Sequence, residues 1–159
     1  MPLNVVLIEP EIPNNTGNIG RLCLATGSVL HLVKPFGFEI SDKRLKRAGL
    51  DYWEHLEVHY YESKDEFFKK NKNKSMAFFS SHGEKTHWDI PFEHNMFLIF
   101  GKESVGLPKE LIGAEKENLY KIPLYSDKVR SLNLANAVGI AVYEGLKINE
   151  DRNQRDKSI

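Results

Sequence analysis

Ile122-Pro-Leu-Tyr-Ser-Asp-Lys-Val-Arg-Ser-Leu-Asn-Leu-Ala-Asn-Ala-Val138 joins the last strand-like run of the chain to its longest helix-like one. Leu119–Ile122 reads as the strand, and the helix runs on as Gly139-Ile-Ala-Val-Tyr-Glu-Gly-Leu-Lys147. Leu134, Val138, Ala141 and Val142 form one apolar face of that helix, and Leu132, Ala135 and Gly139 form another. A helix apolar on two sides is expected to be covered twice, by its own sheet and by a partner subunit. Arg130, Ser131, Asn133 and Asn136 stand at its mouth. Asparagine is a mediocre helix former and costly to bury without partners, so these residues read in two ways. They are either an N-cap by Ser131 with a satisfied polar pair, or groups that hold a ligand.

Outward from this stretch, strand-like runs alternate with helix-like ones. Leu3–Ile8, Val29–Val33, Leu56–Tyr60, Ser75–Ser80 and Met96–Phe100 read as strands. Helices are expected at about Arg21–Thr26, stopped by Gly27, then at Asp42–Ala48, Lys64–Lys70 and from Pro108 to Ile112. This alternation predicts an α/β fold: a mostly parallel sheet with helices on both faces. Residues 1–149 form one domain on this reading, and 150–159 a polar, frayed tail. Ligands of such sheets gather beyond the carboxyl ends of the strands. Glu9–Arg21, Gly101–Pro108 and Pro123–Asn136 lie there, rich in glycine, proline and polar residues that secondary structure does not require.

At 159 residues the chain is long enough for one domain with a real core. No apolar run approaches a membrane span, and Met-Pro-Leu-Asn-Val-Val-Leu-Ile-Glu9 reads as a first strand rather than a leader, so the expected location is cytoplasmic. The single Cys23, flanked by Leu22, Leu24 and Ala25, suits a reducing compartment and reads as a buried, inert thiol. With 22 basic and 22 acidic residues, the chain does not hold nucleic acid by bulk charge. Charge is nevertheless segregated. Lys43-Arg-Leu-Lys-Arg47 runs into Ala-Gly-Leu-Asp-Tyr-Trp53, placing rings beside cations, while Lys69–Lys74 reads as a solvated loop.

Several familiar motifs fail. Gly17-Asn-Ile-Gly20 lacks the full dinucleotide fingerprint, and Phe100-Gly-Lys-Glu-Ser has Met96 where a P-loop needs glycine. His55 and His59 have helical spacing, but Leu56 stands where a metalloprotease carries glutamate, and no metal is expected. No Gly-x-Ser-x-Gly elbow occurs.

Taken together, three segments carry a resemblance. Glu9-Pro-Glu-Ile-Pro-Asn-Asn-Thr-Gly-Asn-Ile-Gly-Arg-Leu-Cys23, Phe100-Gly-Lys-Glu-Ser-Val-Gly-Leu-Pro108 and Ile122-Pro…Arg130-Ser-Leu-Asn-Leu-Ala-Asn-Ala-Val138 resemble the three ordered motifs of the SPOUT RNA 2′-O-methyltransferases. Pro35-Phe-Gly-Phe38 and Lys43–Tyr52 are similar to the TrmL (YibK-like) branch. The likeness spans roughly residues 3–148, without an added RNA-binding domain, which favours a small target.

The resemblance implies a SPOUT fold with a C-terminal trefoil knot, a topology that general rules argue against. It implies a homodimer that uses S-adenosyl-L-methionine to methylate the wobble ribose in the anticodon loop of leucine tRNAs. A ribosomal RNA ribose or a non-catalytic RNA-binding role stands as the alternative. Phe79, Ser80, Gly101, Ile122, Leu124, Ser131 and Asn136 are implied to line the cofactor pocket, with Gly101 letting backbone approach the adenosyl group. Arg21 is the implied catalytic arginine. Its guanidinium stays protonated, so a fork holding phosphate and 2′-oxygen suits it better than a base; a surface ion pair is the plain alternative. Asn15, Glu103 and Asn133 are implied to orient the ribose and the loops, although Glu103 can equally satisfy neighbouring backbone donors. Relatives often carry proline where this chain has Asn14 and Lys102, and Lys102 adds a cation beside the pocket.

Overall fold

The computed structural model describes residues 2–40, 43 and 50–158. Among these, seven strands form one sheet: β1 (Asn4–Ile8), β2 (Val29–Val33), β3 (Val58–Tyr61), β4 (Met76–Phe79), β5 (Lys85–Thr86), β6 (Phe97–Phe100) and β7 (Leu119–Lys121). They lie in the order β3-β2-β1-β6-β4-β7-β5, and every neighbouring pair is parallel. The central run of β1 is buried at every position, as a strand covered on both faces must be.

Successive side chains leave a strand on opposite faces, so the sheet feeds two cores. On one face Val5 and Leu7, Leu30 and Leu32, and Leu98 and Phe100 meet Ile19 and Cys23 of α1 (Pro13–Thr26) and Val138, Ala141 and Val142 of α4 (Leu134–Asp156). On the other, Val6, Ile8, Phe78, Phe97 and Ile99 cover Phe67 of α2 (Lys64–Lys70), with Leu111 and Ile112 of α3 (Lys109–Ala114) at the margin. The α/β architecture with helices on both faces thus stands as the alternation predicted.

His31 of β2 is buried beside this second core, its ring 5.0 Å from that of Phe97 and stacked at 4.9 Å on His59. The Asn4 amide donates to the Asn95 carbonyl, so its oxygen accepts from His31 Nε2 at 2.9 Å. That leaves His31 Nδ1 to accept from the Tyr61 hydroxyl, also at 2.9 Å. A neutral imidazole satisfies both partners.

Two helices differ from their sequence reading. α1 begins at Pro13, not near Arg21, and Gly17 and Gly20 lie inside it. Proline suits the first helical position, where its missing N–H costs nothing. Gly20 is tolerated because Trp53 needs the space: a Cβ there would come within 2.6 Å of the indole ring. The expected stop holds, with Gly27 left-handed at φ 65°. α4 is capped by Asn133 rather than Ser131 and runs to Asp156, so the expected frayed tail is helical over most of its length. Asn149 is buried and Arg152 donates to the Phe92 carbonyl at 2.9 Å, which ties the polar end of the helix to the body.

Lesser differences follow the same logic of tertiary contact. A 3-10 turn occupies Leu50–His55, so β3 starts at Val58. The two-residue β5, too short and polar to show periodicity, pairs with β7 at the sheet edge. Cys23 is buried and burial pushes its thiol up to about 12, in line with an inert side chain. The expected helix Asp42–Ala48 and its basic run fall, apart from Lys43, outside the described residues.

Candidate active site

β1, β4, β6 and β7 all deliver their carboxyl ends to one edge of the sheet, where a cleft of about 520 Å³ opens. Its walls come from three loops. Ile12 precedes α1 and Asn15 lies in its first turn; Gly101–Gly106 follow β6; Ile122, Leu124 and Arg130–Asn133 lie between β7 and α4. Phe79 and Ser80, at the end of β4, complete it.

A hydrogen-bond chain fastens these loops together. α1 has no side-chain cap of its own, since Ile12 occupies the N-cap position. Instead the Glu103 carboxylate accepts from Glu11 N at 2.8 Å, Ile12 N at 3.1 Å and Asn15 Nδ2 at 3.4 Å. A carboxylate there both satisfies orphan donors and complements the positive end of the helix. Asn15 passes the chain on, its oxygen accepting from Asn133 Nδ2 at 3.0 Å. Asn133 Oδ1 in turn accepts from Ala135 N at 2.9 Å and Asn136 N at 3.3 Å, capping α4. The contact is reciprocated. Glu11 Oε1 accepts from Ser104 N at 2.9 Å and Ser104 Oγ at 2.6 Å, and these bonds, helped by the Lys102 charge, hold the Glu11 carboxyl below its ordinary range.

Glu103 therefore takes the plainer of its two expected roles and satisfies backbone donors, while still facing the cleft. Gly101 is required by the geometry of its own loop. A Cβ there would collide with the backbone of Gly106 and Leu107, because the loop folds back through a Lys102–Gly106 bridge with Gly106 at φ 70°. Lys102 lines the cleft, but its ammonium lies 3.9 Å from Glu9, which Lys64 also approaches at 3.6 Å.

Phe79, Ser80, Gly101, Ile122, Leu124 and Ser131 line the cleft together with Asn15, Glu103 and Asn133. Arg21 and Asn136 do not. Arg21 is exposed on α1, about 9 Å further along the axis than Asn15 and about 120° round it. Asn136 is exposed on the first turn of α4, contributing its N–H to the Asn133 cap. Ser81, His82 and Val105 also line the cleft, without a motif to mark them. Among the described residues no group of three or more His, Cys, Asp or Glu could hold a metal ion, and no helix is long and apolar enough to cross a membrane.

The model of the SpoU rRNA Methylase family matches residues 2–143. A Listeria innocua protein provisionally named a tRNA (cytidine(34)-2′-O)-methyltransferase is 47% identical over 150 residues, covering 92% of this chain and 88% of its own. A solved structure described as giving insight into the 2-OH methylation of C/U34 on tRNA is 42% identical, with a TM-score of 0.86, over 91% of this chain and 94% of that one. An AdoMet-bound rRNA methyltransferase from Sinorhizobium meliloti is 25% identical, with a TM-score of 0.82, over 92% of this chain and 56% of that one.

Proposed function

The chain belongs to the SpoU rRNA methylase family, and from that premise we propose that it is a tRNA 2′-O-methyltransferase acting on the ribose of wobble nucleotide 34, cytidine or uridine, with S-adenosylmethionine as methyl donor. The observation that carries this reading is the Glu103–Asn15–Asn133 chain, which draws three separated loops into one cleft. Leucine tRNAs are the substrates that the resemblance implies.

The cleft suits the donor. Its volume is within the range of small-molecule sites, and it mixes apolar walls (Phe79, Phe100, Ile122, Leu132) with Ser80, Ser131 and asparagine side chains. Residues 122–133 run without helix or strand, so their backbone amides and carbonyls are not committed to a ladder and can meet the adenosyl and methionyl ends. Asn133 and Glu103, each held by several bonds, tie the loops to one another around the cleft.

When bound, the donor supplies a methyl on a sulfonium, already an excellent leaving group. The protein's part is to hold the 2′-oxygen in line with the methyl–sulfur bond, which breaks as the oxygen–carbon bond forms, while the hydroxyl proton leaves to water. Arg21 serves as the fork for that oxygen and its neighbouring phosphate, keeping its own proton throughout. Arg21 stands away from the cleft of its own chain, which supports a homodimer in which the arginine of one copy serves the cleft of the other. Ile140 and Tyr143, 40% and 58% exposed on α4, are apolar groups such an interface would cover. The same reading includes the trefoil knot. Its support is that β6 lies on one side of β4 and β7 on the other, while α4 returns to pack Gly145 against Leu3 and Phe92.

Incubation with methyl-labelled S-adenosylmethionine and bulk tRNA tests the reading. A 2′-O-methyl group blocks alkaline cleavage of the adjoining phosphodiester, so label is expected in alkali-resistant dinucleotides. Label in single nucleotides, or in ribosomal RNA instead, contradicts it.

A further inference from the structure

Gly20 and Arg21 are neighbours on α1, and the 3-10 turn Leu50–His55 packs against both. Trp53 of that turn lies against Gly20, where any side chain would come within 2.6 Å of its ring. It is held from outside as well: its indole N–H donates to the Tyr60 hydroxyl at 3.3 Å, and its carbonyl accepts from Leu56 N at 3.1 Å. The residue before it, half-buried Tyr52, has its ring beneath the exposed Arg21, with the guanidinium carbon 5.6 Å from the ring centroid.

We propose that Tyr52 is a positioning residue for methyl transfer: its ring face supports the Arg21 guanidinium, whose N–H groups, bonded to none of the described residues, stay available to RNA. The inference rests on the reading that Arg21 engages the substrate. The five donors of a guanidinium all lie in its plane, so a contact through the face occupies none of them. A carboxylate partner would instead take two of the donors needed for phosphate and 2′-oxygen. An unsupported arginine on a helix surface samples many rotamers, and a ring beneath it reduces what must be frozen when RNA binds. The Trp53–Gly20 contact seats the turn that carries Tyr52 against α1 beside the arginine.

Single-turnover methyl transfer to tRNA, with enzyme in excess so that slow variants accumulate product, tests this for Tyr52→Phe and Tyr52→Leu, alone and with Arg21→Ala. Tyr52→Phe keeps the ring face and is expected to transfer within about two-fold of wild type. Tyr52→Leu is expected to lose about five-fold, in rate more than in RNA affinity, with its melting temperature and S-adenosylmethionine binding unchanged. In the Arg21→Ala background the same change should add nothing. A second readout needs no turnover: the Arg21 Nε–H resonance should carry an upfield ring-current shift in wild type and Tyr52→Phe that Tyr52→Leu abolishes. An unshifted resonance in wild type, undiminished transfer by Tyr52→Leu, or an equal loss on top of Arg21→Ala overturns the proposal. Undiminished transfer by Arg21→Ala alone strikes the reading beneath it, independently of any Tyr52 variant.

Discussion

Gly101 and His31 show how much a single position can owe to chain that is far away in sequence. A glycine after β6 is visible as a motif residue, but what it accommodates is the carbonyl of Gly106 turning back over it, a tertiary fact that one sequence does not display. Gly101→Ala must push that loop away and is expected to cost about 3 kcal/mol, measured by urea unfolding, with a parallel loss of S-adenosylmethionine affinity by calorimetry. Unchanged affinity would detach the loop from the cofactor. His31 carries a pH consequence. Burial, and secondarily the charge of His59, lower its pKa from 6.5 to about 3. Between those values the unfolded chain binds a proton that the folded chain refuses, so stability is complete above about pH 6.5 and declines as pH falls. The slope approaches about 1.4 kcal/mol per pH unit for one proton. Urea unfolding of wild type and His31→Gln from pH 7 to pH 5 checks it. The variant should be flatter, and parallel curves would assign the proton elsewhere.

The helices show where local sequence signals run out. Lys64–Lys70 reads correctly from its own residues because Ser63 caps it by accepting from Glu66 N at 3.1 Å, a device written in the adjacent sequence. α1 has no such device; its cap is Glu103, some 90 residues later. With Pro13 as its true start, Arg21 sits two turns down the helix instead of at the loops, which is why a motif residue came to lie outside the cleft. Glu103→Gln keeps one acceptor oxygen and turns an N–H toward donors, so chemical denaturation should register a loss of about 1–3 kcal/mol. A neutral result would mean that α1 is seated by packing alone. A Ser131 cap was one of two readings for the mouth of α4; Asn133 is the cap because its oxygen reaches two helix amides while its nitrogen is held by Asn15.

At the scale of the molecule, the parallel sheet was readable because Val5–Ile8 of β1 and Phe97–Phe100 of β6 are unbroken apolar runs, and β2 is apolar but for His31, a pattern that a doubly covered sheet buries. The strand order was not readable, since nothing local places β6 between β1 and β4. The cleft itself was approached through three loops that look unrelated until Glu103, Asn15 and Asn133 join them. That junction underlies the central claim, a site built to set a methyl donor against the ribose of one anticodon nucleotide. Mass-spectrometric mapping of tRNA after incubation with the protein and S-adenosylmethionine tests it most directly. A single new 2′-O-methyl group on nucleotide 34 is the expected result; methylation at another nucleotide, or on a base atom, would contradict it.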